Sequence, residues 1–124
     1  TVIKEQLELI FAFSELFLNL GVFMKVHVIK WKSIEQFVME HARSKVSFEK
    51  FKESIKRADW ESINDVQNTF GTADLIGNTR IVFNIGGNNY RLICGFWFGP
   101  KMVHLYVKWI GTHAAYSKLC KQNL

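Results

Sequence analysis

Residues 80–118 read RIVFNIGGNNYRLICGFWFGPKMVHLYVKWIGTHAAYSK, and the fold turns on this stretch. It reads as three β-strands in succession, joined by a Gly86-Gly87-Asn88 turn and a Gly99-Pro100 turn and followed by a short polar segment. Turns this short join antiparallel neighbours. The glycine pair invites comparison with a phosphate-cradling loop, but positive φ in a hairpin accounts for it more simply. Alternation then sorts the side chains by face. Ile81, Phe83 and Ile85 oppose Arg80, Val82 and Asn84, while Val103, Leu105, Val107 and Trp109 oppose His104, Tyr106 and Lys108. One face is apolar and is expected beneath helices; Arg80, Asn84, His104, Tyr106 and Lys108 are expected on the open one.

Charge reinforces this division. No Asp or Glu follows Asp74, yet Arg80, Arg91, Lys101, Lys108, Lys118 and Lys121 do, with His104 and His113 besides. A sheet whose cations lack carboxylates suits a polyanion. The whole chain, 124 residues and 48% hydrophobic with a formal charge of +5, has enough apolar material for one domain with a core. Cys94 and Cys120 show no CxxC or zinc spacing, so reduced, cytosolic thiols are expected. No metal-ligand cluster, carboxylate pair or Ser/His/Asp order presents itself, and no cofactor or metal is expected.

Residues 1–23, TVIKEQLELIFAFSELFLNLGVF, differ from everything after them. They read as a helix apolar on almost every side, interrupted by Glu8, Glu15 and Asn19. The expectation is an upstream extension or accessory helix, with a functional domain over 24–124 beginning at Met24; a membrane or partner-docking helix is the alternative. Val26 and Val28 alternate with His27 and Ile29 as a first strand. Ser33 and Gln36 have capping-box spacing before a helix carrying Ile34, Phe37, Val38 and Ala42. A second helix is expected from Ser47, stapled by Val46 and Phe51 and burying Phe48, Phe51 and Ile55. Its cations, Lys50, Lys52, Lys56 and Arg57, read as a solvated face. Trp60, Ile63 and Val66 suggest a short helix, with Trp60 and Phe70 as core lids, followed by an irregular loop carrying Asp74.

The order β-α-α-(short helix and loop)-β-β-β defines an α+β domain. With R-x-V-F-N-I-G-G-N-x-Y-R-L-I at Arg80–Ile93, G-T-H-x-x-Y at Gly111–Tyr116, Ala58-Asp59-Trp60, Asp65 and Ala73-Asp74, the chain resembles the HigB family of RelE-type toxins. The resemblance covers nearly all of residues 24–120 and none of 1–23. It implies a twisted antiparallel sheet packed on N-terminal helices. It further implies the toxin of a type II toxin–antitoxin pair: a bacterial, cytoplasmic mRNA interferase, typically acting on translating ribosomes and silenced by a HigA-type antitoxin.

RNA carries its own nucleophile, the 2′-hydroxyl, so a metal-free nuclease needs proton transfer and cations for the charge on phosphorus. Arg91 and Arg80 are the candidate phosphate clamps, since a guanidinium donates two parallel hydrogen bonds. For Arg91 the alternative is a structural pairing with Asp74. Lys108 is a candidate point charge or proton carrier, and His113 the candidate for proton transfer because imidazole titrates near neutrality. Tyr116 follows His113 at helical spacing and suits a base or a phosphate. Asn84 and Lys118 complete the expected RNA contacts. Trp97 and Tyr106 read as packed aromatics. Two other classes remain open: a RelE-fold toxin that poisons a protein such as gyrase, and a non-catalytic RNA-binding module.

Overall fold

The computed structural model describes Gln6 and residues 24–123. The expectations for residues 1–23 therefore fall almost wholly outside the described residues. In chain order the elements are β1 (Val26–Ile29), α1 (Trp31–Glu40), a 3-10 turn (Ala42–Ser44), α2 (Lys45–Arg57), α3 (Ile63–Thr69), β2 (Asp74–Ile76), β3 (Arg80–Ile85), β4 (Tyr90–Phe98), β5 (Val103–Thr112) and α4 (His113–Asn123). The architecture is α+β, as expected, with one five-stranded sheet in the order β1-β5-β4-β3-β2.

That sheet is mixed, where the resemblance implied an antiparallel one. The hairpins β3–β4 and β4–β5 are antiparallel, but β1 runs parallel to β5, pairing Val26 with Val103 and His27 with His104. Such pairing needs a long crossover, which the chain between β1 and β5 supplies. The Asp74 segment, expected as an irregular loop, adds the short strand β2 beside β3. At the β3–β4 hairpin, Gly86 and Gly87 have φ of 65° and 66°, the left-handed conformation that glycine alone adopts cheaply.

The helices start earlier than their capping signals suggested. Ser33 lies inside α1, whose N-cap is Lys30, and makes no capping box. Ser44, not Ser47, precedes α2; its hydroxyl turns back to donate to the His41 carbonyl at 2.6 Å. Val46 is 60% exposed and staples nothing. The unforeseen cap is at α3, where the Asp65 carboxylate accepts from the backbone N–H groups of Glu61 and Ser62 at 2.8 and 3.2 Å.

The expected core stripe is present. Phe48, Phe51 and Ile55 of α2 and Ile34 of α1 are buried against Ile81, Phe83, Ile85, Leu92, Cys94, Val103 and Leu105. Phe51, Phe70 and Phe83 form a ring triangle with centroids 5.2–5.3 Å apart. Trp60 is buried and donates from Nε1 to Thr69 Oγ1 at 2.8 Å, which joins the loop before α3 to the end of that helix. Burial pushes the Cys94 thiol up to about 12.

One irregularity re-sorts the open face. Opposite β4 the register jumps from Cys94–Val107 to Ile93–Trp109, leaving Lys108 as an extra residue in β5. Two residues of a bulge face one on the partner strand, and the alternation shifts by one. Trp109, expected with the apolar set, therefore lies on the open face, and Ile110 turns to the core opposite Leu92.

Candidate functional site

The open face of the sheet has two ends, separated by the row Val82–Ile93–Trp109. At one end α4 leaves β5 and packs back on β4 and β5. Val82 and Ile93 are buried there even though they point away from the core. The face is thus less open than its alternation implied.

Beneath α4 lies Arg91, 7% exposed. Its Nη1 donates to the carbonyls of Asn88 at 3.2 Å and Tyr90 at 3.0 Å. Its Nη2 donates to Asn88 Oδ1 and, at 3.1 Å, meets His113 Nδ1. Tyr116 stands one turn further along α4, with its ring 5.6 Å from the guanidinium carbon and 6.1 Å from the Trp109 ring. The Arg91 partners are therefore the hairpin turn and His113; Asp74 instead acts on Tyr116. Burial, a hydrogen bond to Cys120 and the Asp74 charge raise the Tyr116 phenol above its usual value, against the opposing pull of Arg91.

A guanidinium has donors only, so the His113 Nδ1 facing it must accept. The neutral ring then carries its hydrogen on Nε2. His113 is the first residue of α4, exposed, and its backbone N–H donates to the Asn89 carbonyl at 2.9 Å. The hairpin turn thus holds this residue twice, through Asn89 directly and through Asn88 by way of Arg91.

The remaining sequence candidates divide. Asn84 is the cross-strand partner of Arg91 and borders a hollow of about 370 Å³ at the sheet edge with Lys50, Gly86 and Gly87. Lys108 belongs to the other end: its Cε is 3.1 Å from where a Cβ on Gly95 would stand, and its Nζ is 6.0 Å from the Tyr106 ring centre. Arg80 shares that row, opposite Gly95. Gly95 is four residues from Arg91, about 13 Å along the strand. Lys118 is exposed on α4, five residues past His113 and so about 140° around the helix from it.

Asn88, which anchors Arg91, escaped the sequence reading, and so did the exposure of Trp97, which is 51% exposed rather than packed. A signal for the second was available. Trp97 is out of phase with Leu92, Cys94, Phe96 and Phe98, which places it on the same face as Arg91 and Gly95. Among the described residues, no group of three or more His, Cys, Asp or Glu is placed to hold a metal, and no helix is long and apolar enough to cross a membrane.

Residues 44–119, more than half of the chain, match the family model HigB_toxin, described as the RelE-like toxic component of a toxin-antitoxin system. The chain belongs to the HigB_toxin family. As a HigB-type chain it is the toxic component of such a system, and membership implies an antitoxin partner. The match begins within the 3-10 turn and takes in α2, α3, β2 to β5 and most of α4, so Arg80, Asn84, Arg91, Lys108, His113, Tyr116 and Lys118 all fall inside it. No curated protein matches the chain.

Proposed function

We propose that this HigB-type toxin is a metal-independent mRNA endoribonuclease, working on translating ribosomes and silenced by a HigA-type antitoxin. The observation that carries this reading is the exposed His113 imidazole held by a buried guanidinium, beside strands β3, β4 and β5, which bring cations and no carboxylate.

In the reaction the RNA 2′-oxygen bonds to phosphorus and the bond to the 5′-oxygen breaks. The proton lost from the 2′-hydroxyl passes to solvent, and solvent returns one to the departing oxygen, so His113 contributes a hydrogen bond rather than the proton itself. His113 Nε2, which carries the hydrogen in the tautomer selected by Arg91, meets the departing 5′-oxygen or a phosphoryl oxygen. Accepting the 2′-proton at Nε2 would require the opposite tautomer, with hydrogen on Nδ1 directed at a donor. Arg91 has both terminal nitrogens engaged, so it acts by positioning His113 and adding positive field. Tyr116 closes the floor of the site beside the guanidinium. Lys108 and Arg80, about 13 Å away along β4, serve the phosphates that flank the reacting one. Asn84 contacts the strand at the sheet edge, and Lys118 contributes to the general field of α4.

The test is inducible expression of the full chain in a bacterial host, wild type beside His113→Ala, with growth followed and mRNA 5′ ends mapped. Growth arrest with new ends inside translated messages is expected, with cutting about a hundredfold or more slower in the variant. Arrest without new ends would point to a protein target. RNA retarded in vitro but never cut would point to a binding module.

A further inference from the structure

The end of the open face that α4 leaves uncovered carries an arrangement that the reaction at His113 does not use. Resting on the nuclease reading, we infer that it is a base-stacking subsite for single-stranded RNA, with the Trp97 indole as its platform. The register sets Trp97, His104 and His27 in one cross-strand row, and Arg80, Gly95 and Tyr106 in the next. Ring centroids lie 5.3 Å apart for Trp97 and His104, 6.2 Å for His104 and His27, and 6.0 Å for His104 and Tyr106. His104 Nδ1 is 3.2 Å from the Tyr106 hydroxyl, which ties the two rows together. At 51%, Trp97 has half its surface in water, whereas Trp60 of the same chain is 1% exposed.

The chemistry of this patch selects its occupant. Strands β1, β3, β4 and β5 contain no Asp or Glu, while Arg80 and Lys108 border the rings. Gly95 leaves the middle of its row without a side chain, and the Lys108 stem lies across that gap toward Tyr106. Aromatic faces flanked by cations, on strands that carry no carboxylate of their own, are what an unpaired nucleobase with its phosphates requires. An acidic peptide would use the cations but not the rings. Trp97 is six residues from Arg91, about 20 Å along β4, which places the subsite beyond the reacting nucleotide, so it engages a base a few nucleotides along the same strand.

The experiment uses the full wild-type chain and a short single-stranded oligoribonucleotide methylated at every 2′-oxygen, which cannot be cut by the 2′-hydroxyl route. Tryptophan fluorescence is followed during titration, and affinity is read from the anisotropy of a dye attached to the oligoribonucleotide, beside Trp97→Ala and Trp97→Phe. Quenching is expected in the wild type and not in Trp97→Ala, with affinity falling about tenfold in the alanine variant and recovering in part with Trp97→Phe, which retains an aromatic face. On cleavable RNA, Trp97→Ala is expected to raise KM and leave kcat in place. Unchanged affinity in Trp97→Ala overturns the subsite, even if the wild type cuts mRNA. Equal quenching by polyglutamate also overturns it, since charge alone would then explain the binding. Specific quenching without any cutting supports the subsite and overturns the nuclease reading instead.

Discussion

The two ends of the open sheet face share strands β3, β4 and β5, with β1 added at the uncovered end, and behave as different materials. At the closed end Arg91 is 7% exposed and its terminal nitrogens are divided among Asn88, Tyr90 and His113; at the uncovered end Trp97 is 51% exposed and meets its neighbours through ring contacts. The difference comes from the last helix. α4 starts where β5 stops, and its 11 residues make a rod of about 16 Å, which covers one end of the face and not the other. At the covered end, hydrogen bonds from Arg91 and to Asn89 hold His113 in the tautomer with hydrogen on Nε2. The other end presents ring faces to water, as the proposed stacking of a base requires.

The largest expected contrast between the ends, after the activity lost with His113→Ala, lies in stability. Arg91→Ala removes a buried side chain and the hydrogen bonds by which it ties the hairpin turn to His113, so denaturant unfolding should show a loss of about 1–3 kcal/mol. Trp97→Ala should shift the same measurement by no more than about 0.5 kcal/mol, because its ring is half in water. Equal losses from the two substitutions would erase the distinction between the ends.

A smaller effect concerns pH. The fold favours the neutral Tyr116 phenol and raises it above its ordinary value of 10.0, so as pH climbs past that value the unfolded chain releases this proton first. Stability contributed by the neutral phenol is therefore complete below that range and declines above it. Tyr116→Phe should flatten the decline in unfolding curves taken on either side of it, and an unchanged slope would detach Tyr116 from the closed end.

The smallest effect belongs to the core face that both ends share. With its thiol pushed up to about 12 and its side chain fully buried, Cys94 should resist iodoacetamide in the native chain and react only on unfolding, as mass spectrometry of the peptides would show. Native labelling at Cys94 would mean that the sheet opens under both ends alike.

Much of this was legible beforehand, and the reason is that strand alternation, glycine turns and charge content are local. Ile81, Phe83, Ile85, Val103 and Leu105 could be assigned to the core from period two alone, and the acid-free stretch after Asp74 announced a basic face. The helix starts were less legible, because Ser33 and Ser47 have capping chemistry but lie within helices that begin earlier. His113 and Arg91 could be named as candidates, but not their contact: they are 22 residues apart and meet only because β4 and β5 pair as they do.

What the sequence by itself determined is the set of side chains: three strands with an apolar phase, a hairpin that only glycines could turn, and cations without carboxylates to neutralise them. The tertiary structure alone decided how those side chains are grouped. The bulge at Lys108 shifted Trp109 onto the open face, β1 returned parallel to β5 and brought His27 beside His104, and α4 closed one end of the sheet while leaving Trp97 in water. Each of these depends on which strand lies opposite and where the chain is free to turn back. Those are relations between distant residues, and no local period encodes them.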